Sequence, residues 1–198
     1  MLLYESMKKA VIIISLAVLA GAVAFFLLRD RNGNGQPTGP AADLTPQLNN
    51  PNMQIASAAF ERNGLIPAKY TCDGENTSPP LTLSGTPEET KSLALIMDDP
   101  DAPRGTWVHW TMWNIDPATI NVAANSTPPG AVEGKTSAGK SGYGGPCPPS
   151  GTHRYYFKLY ALDANLNLDE SANKQDLEGV MAGHVLGQAE LIGLYSRQ

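Results

Sequence analysis

The sequence predicts a mainly β domain, a Greek-key sandwich of antiparallel sheets with one or two C-terminal helices, preceded by a separate N-terminal transmembrane helix. Three observations carry this. Apolar runs of strand length are bounded by clusters of glycine and proline. With 19 Gly and 16 Pro, the chain favours turns and short strands over long helices. One uninterrupted apolar stretch lies near the N-terminus, well apart from the rest.

That stretch, residues 10–28 (AVIIISLAVLAGAVAFFLL), follows a short segment over residues 1–9 and has no charged side chain. At about 1.5 Å rise per residue, a helix of that length nearly spans the ~30 Å hydrocarbon core of a bilayer. Lys8 and Lys9 precede it, and Arg29 and Arg31 follow it, so charge specifies its orientation only weakly. A cleaved signal peptide is the competing reading, because Ala20-Gly21-Ala22 and Ala22-Val23-Ala24 have the small-x-small form of a cleavage site. Cleavage there would leave Phe25 to Leu28 as an exposed apolar terminus, which favours an uncleaved signal-anchor. Either way the expected location is outside the cytoplasm: a single-pass membrane protein with an extracytoplasmic domain, or a secreted one. Residues 29–52, rich in Gly, Pro and Asn, read as a flexible spacer. The folded domain is expected over residues 53–198.

Within the domain, Ser92 to Asp98 (SLALIMD) is an apolar run of strand length, and Trp107 to Ile115 is rich in aromatic and β-branched residues. From His153 to Asp163 the chain alternates. His153, Tyr155, Phe157 and Leu159 share the face that continues into the core, and Arg154, Tyr156 and Lys158 share the other. Leu177, Val180, Met181 and His184 recur at helical spacing, which predicts an amphipathic helix from Asn173 to about His184, and QAELIGLY is a last strand. Residues 117–152 show no regular pattern beyond short pieces. A connection that long in a compact domain tends to be functional.

A net charge of −5 and the lack of any Lys/Arg run argue against nucleic acid as a partner. Gly134 to Ser141 (GKTSAGKS) matches the phosphate-cradling P-loop pattern, but proline and glycine on both sides deny it the flanking strand and helix that this mechanism needs. Asp98, Asp99 and Asp101 with His109 and His153 supply some metal-ligand chemistry without the spacing of a known site, and no metal or cofactor is expected. Ser150 lacks a nucleophile elbow. Cys72 and Cys147 are the two cysteines; in an oxidising compartment an even count points to a disulfide, two buried free thiols being the alternative.

Two segments concentrate polar side chains beside proline and glycine: DDPDAPRGTWVHW (Asp98 to Trp110) and GYGGPCPPSGTHRYYFKLYALD (Gly142 to Asp163). A carboxylate beside an imidazole fixes its tautomer and favours its charged form, leaving the other nitrogen to meet an anion. A tyrosine hydroxyl and the backbone N–H groups of the glycine-rich loop are expected to add donors. Asp99 is expected to orient His109.

Together with IPAKYTCDGENTSPPL (Ile66 to Leu81) and GHVLGQAELIGLYSR (Gly183 to Arg197), these segments resemble the phosphatidylethanolamine-binding protein family, in its prokaryotic Raf-kinase-inhibitor-like branch of the YbhB/YbcL type. The resemblance covers essentially the whole domain. It implies a β-sandwich with a small anion pocket at one end, lined on this chain by Asp99, Asp101, Pro103, His109, Gly145, Pro148, His153 and Tyr155. It also implies phosphate-like ligands, phospholipid head groups among them, and action by binding rather than catalysis. The connection from Pro103 to Trp107 is only Arg104-Gly105-Thr106, shorter than in eukaryotic members, so their lipid selectivity and kinase binding are not carried over.

The expected function is therefore a membrane-tethered, non-catalytic, regulatory ligand-binding protein with a pocket for phosphate or a phosphorylated head group. The alternatives are an interaction module that inhibits proteases through its loops, and a hydrolase of unknown substrate.

Overall fold

The computed structural model describes residues 52–197. The transmembrane helix expected over residues 10–28, and all but the last residue of the spacer, lie outside the described residues. Among those described, no helix is long and apolar enough to cross a membrane.

Among the described residues, nine strands form two sheets. They are β1 (Gln54–Ala56), β2 (Gly64–Leu65), β3 (Leu81–Ser84), β4 (Ser92–Asp99), β5 (Trp107–Ile115), β6 (Asn121–Val122), β7 (Val132–Glu133), β8 (Thr152–Leu162) and β9 (Val185–Ser196). The small sheet has the order β1-β3-β6 and the large one β2-β9-β8-β4-β5-β7. Pairing is antiparallel throughout except between β2 and β9, which run parallel. The main core lies between the sheets, where Ile55, Leu83 and Val122 of the small sheet join Leu93, Leu95, Phe157 and Leu191 of the large one.

β4 is buried along its whole length, which accounts for its unbroken apolar run. Its inner face meets the small sheet, while on the outer face Ala94 and Ile96 pack with Trp113, Leu166 and Leu177. Leu177 belongs to α1 (Lys174–Met181), the one α-helix among the described residues. Asn173 caps α1 in a capping box: its side chain accepts from the Gln175 and Asp176 N–H groups, and Asp176 accepts from the Asn173 N–H. This helix stops short of the predicted end. Leu177 and Met181 are buried, but Val180 is 39% exposed, and His184 lies beyond the helix in an exposed hydrogen bond with Asp163. The periodicity through His184 counted a turn, residues 182–184, as a further helical face.

Asp98 and Asp99, neighbours on β4, take opposite faces. On the outer face Asp98, 1% exposed, receives Lys158 Nζ at 2.9 and 3.0 Å and Lys174 Nζ at 2.5 Å. This triad, a buried carboxylate between two half-buried lysines, ties the first residue of α1 to β4 and β8. Asp99 faces the other way, into the site.

Candidate functional site

The site forms where the ends of β4, β5 and β8 meet the loop before β8. A change of register prepares it. Met97 pairs with Trp110 and Asp98 with Val108, so β5 carries one residue more than β4 at His109. Such a bulge turns two successive side chains to the same side of a strand. Trp110 accordingly enters the main core, as does Tyr155, and the His109 ring sits edge-on to the Tyr155 ring with centroids 5.2 Å apart. The bulged residue is paired by the loop instead: Gly144 N–H donates to the His109 carbonyl at 2.8 Å, and His109 Nδ1–H donates to the Gly144 carbonyl at 2.6 Å.

A second segment, residues 70–76, holds that loop from the far side. Cys72 and Cys147 are joined by a disulfide with Cα atoms 5.5 Å apart. Cys72 N–H donates to the Pro146 carbonyl, and Tyr143 Oη donates to the Tyr70 carbonyl at 2.7 Å. Asn76, at φ 56°, accepts the Gly145 N–H through Oδ1 at 2.8 Å. Only glycine fits at 145, because a Cβ there would lie 2.5 Å from Asn76 Oδ1 and 2.7 Å from the Tyr70 carbonyl oxygen.

Between these walls lies a cleft of about 350 Å³, in which Asp99, His109 and His153 face Gly145 and Asn76. Trp107, Pro103 and Pro148 give it an apolar rim. Asp99 is 3% exposed and fully engaged: Oδ2 accepts from His153 Nδ1 at 2.7 Å, and Oδ1 accepts the Asp101 N–H at 2.8 Å. Burial pushes the His109 imidazole below its ordinary value of 6.5, against the raising effects of the Gly144 carbonyl and the Asp99 charge.

Of the expected site residues, Asp99, Pro103, His109, Gly145, Pro148 and His153 line the cleft. Asp101 does not. Its carboxylate accepts from the Arg154 backbone N–H, Nε and Nη2, and the Arg154 hydrogen bond and charge hold it down to about 2. Tyr155 is fully buried beneath the cleft, and its hydroxyl makes no well-aligned hydrogen bond. Burial raises that hydroxyl far above the usual phenol value. Asp99 orients His153 rather than His109, since β4 runs between β5 and β8 and Asp99 reaches the β8 side. Two of the loop amides expected as donors are already spent, Gly144 on His109 and Gly145 on Asn76.

Cleft residues that had not been anticipated include Asn76 and Trp107, and Thr136 and Ala138 of the GKTSAGKS segment. Asn76 lies 69 residues from its partner Gly145, and only its place in a turn-rich segment beside Cys72 marks it in the sequence. The GKTSAGKS segment forms a tight turn, with Thr136 N–H donating to the Lys140 carbonyl, and irregular chain follows it rather than a helix.

The model of the family described as phosphatidylethanolamine-binding protein matches residues 56–196. A UPF0098 protein of Methanothermobacter thermautotrophicus is 53% identical over 150 residues, which are 73% of this chain and 99% of that protein. Among solved structures, CT736 of Chlamydia trachomatis, described as a phosphatidylethanolamine-binding protein homologue, is 44% identical with a TM-score of 0.71, covering 74% of this chain and 98% of that one. YbcL of E. coli, described as a new member of the mammalian family of that name, is 32% identical with a TM-score of 0.70, covering 74% and 99%.

Proposed function

The chain belongs to the phosphatidylethanolamine-binding protein family, in its prokaryotic YbhB/YbcL-type branch, and from that premise we propose that it is a membrane-tethered, non-catalytic protein that regulates by binding a small phosphate-bearing anion in the cleft. The observation that carries this reading is the pair of imidazoles on one cleft. His109 and His153 both line it, and each has Nδ1 fixed on an oxygen acceptor, which leaves Nε2 of each ring for a ligand. Asn76 supports them. With its Oδ1 committed to Gly145, its amide N–H groups are the end left to donate.

The reading gives the cleft side chains binding roles and none of the hydroxyls nearby a nucleophile's role. Ser150 and Thr152 are exposed, and Thr136 Oγ1 donates to the Lys140 carbonyl. The tether is the apolar run over residues 10–28.

Calorimetry of inorganic phosphate on the full chain tests the reading. Binding is expected at millimolar ligand or below, and His153→Ala should weaken it by about tenfold or more, since the Asp99 carboxylate then faces the ligand without its partner. Absence of heat at ~10 mM phosphate near neutral pH would overturn it. A protease panel assayed with the wild-type and His153→Ala chains separates this reading from inhibition through surface loops, which that substitution should leave intact.

A further inference from the structure

The hydrogen-bond inventory of the cleft narrows its ligand beyond a phosphate-bearing anion; this step rests on the reading of the cleft as an anion site. A carbonyl oxygen can only accept, so the contact from His109 Nδ1 to the Gly144 carbonyl at 2.6 Å places the ring's proton on Nδ1. In the neutral ring, Nε2 is then an acceptor. On the same wall both oxygens of the Asp99 carboxylate already accept hydrogen bonds. The backbone N–H groups of Gly144 and Gly145, the donors from which a protonless anion would profit, point elsewhere. Among the lining side chains, donor groups remain on Asn76, through its amide, and on Trp107, through its indole N–H, and His153 Nε2 is a donor only in the imidazolium form.

We infer that the cleft selects an anion that brings its own proton, a phosphate or phosphomonoester with a P–OH group donating to His109 Nε2, over anions without one, namely sulfate and phosphodiesters. On this assignment an intact phospholipid head group, which is a phosphodiester, is a poor ligand, and a free phosphomonoester is a good one. His109 is the residue that determines the specificity. Asp99 and Asp98 from β4 bear on it through their charges, Tyr155 from β8 through its ring edge, and Gly144 and Gly145 from the loop through their backbone. Burial keeps the ring below its ordinary value and so in the accepting form near neutral pH. An acceptor aimed at a protonless oxygen leaves two buried lone pairs facing each other, whereas a site built around one hydrogen discriminates strongly against analogues that lack it.

Four probes test this on the full chain by calorimetry at about pH 6.5: inorganic phosphate, methyl phosphate, dimethyl phosphate and sulfate. Dimethyl phosphate carries one negative charge and sulfate two, so they bracket the charge of phosphate and charge alone cannot rank the series. Sulfate also matches phosphate in size. Phosphate and methyl phosphate should bind at least about tenfold more tightly than either of the others. In His109→Gln, whose amide offers donors as well as an acceptor, sulfate should gain on phosphate. Sulfate or dimethyl phosphate binding as tightly as phosphate in the wild-type chain overturns the inference and leaves the anion site standing. Full discrimination retained in folded His109→Gln removes the assignment to His109. Failure of phosphate itself to bind removes the anion site and the inference together.

Discussion

Replacing both cysteines, Cys72→Ala with Cys147→Ala, isolates what the disulfide contributes. The cross-link joins residues 75 apart, and in the chain-entropy model a loop of that length withholds about 15 cal/mol/K from the unfolded chain, or ~4.5 kcal/mol near 25 °C. The native side changes little. Both half-cystines lie in exposed positions, so removing the sulfurs opens no core cavity, and the Tyr143, Asn76 and Cys72 hydrogen bonds still hold the loop against residues 70–76. A loss of about 3–4.5 kcal/mol is therefore expected, nearly all of it entropic. For a domain of this size that lowers Tm by roughly 10 °C. Thermal melts followed by circular dichroism, with oxidised wild type, reduced wild type and the double variant side by side, measure it; the two thiol-free or reduced samples should melt together. Urea titration adds a second signature, since an uncrosslinked unfolded chain exposes more surface and raises m. A Tm within about 2 °C of oxidised wild type in both samples would refute the argument, because the unfolded state would then already hold the two segments together.

Three further substitutions and conditions test other parts of the structure. Asp98→Asn leaves Lys158 and Lys174 without their shared carboxylate in a site where that carboxylate is 1% exposed, and should cost about 3–5 kcal/mol in urea unfolding; a cost below about 1 kcal/mol would show the triad to be solvent-compensated. Gly145→Ala forces a Cβ to within 2.5 Å of Asn76 Oδ1, so it should cost about 1–3 kcal/mol and weaken phosphate binding, read by calorimetry on the folded variant. The pH dependence follows from His109. Its folded-state pKa lies below the ordinary 6.5, so on acidification the unfolded chain takes up this proton first, and stability falls from about pH 6.5 down to the lower folded value. His109→Gln should flatten that part of the stability curve, and an unchanged slope in denaturant titrations across this range would contradict the assignment.

How far the sequence reaches into this structure depends on the range of the signal. The unbroken apolar run of β4 and the alternation of β8 are local, and both strands lie where the pattern places them. The choice of partner for Asp99 is not local. β4 runs between the strands bearing His109 and His153, so either histidine satisfies the residue pattern, and only the register decides. Plain alternation through Trp107-Val108-His109-Trp110 sets His109 and Trp110 on opposite faces; the bulge sets them on one, and nothing in the four residues announces it. Asp101 reads as a pocket carboxylate because Arg154, its partner, lies 53 residues away. Asn76 escapes notice for the same reason.

The adjacency of Asp98 and Asp99 has a consequence for what changes the gene can accept. Two identical side chains, one holding a helix and the other holding an imidazole, are told apart by nothing but the odd and even places of a single strand. Exchange of one for the other in sequence is invisible, yet loss of one codon upstream within β4 would carry Asp99 to the place of Asp98 and Asp98 to that of Met97, and so turn each to the opposite face. The strand that carries the site should therefore tolerate replacement far better than deletion, and variation in chain length should collect in the loops around it.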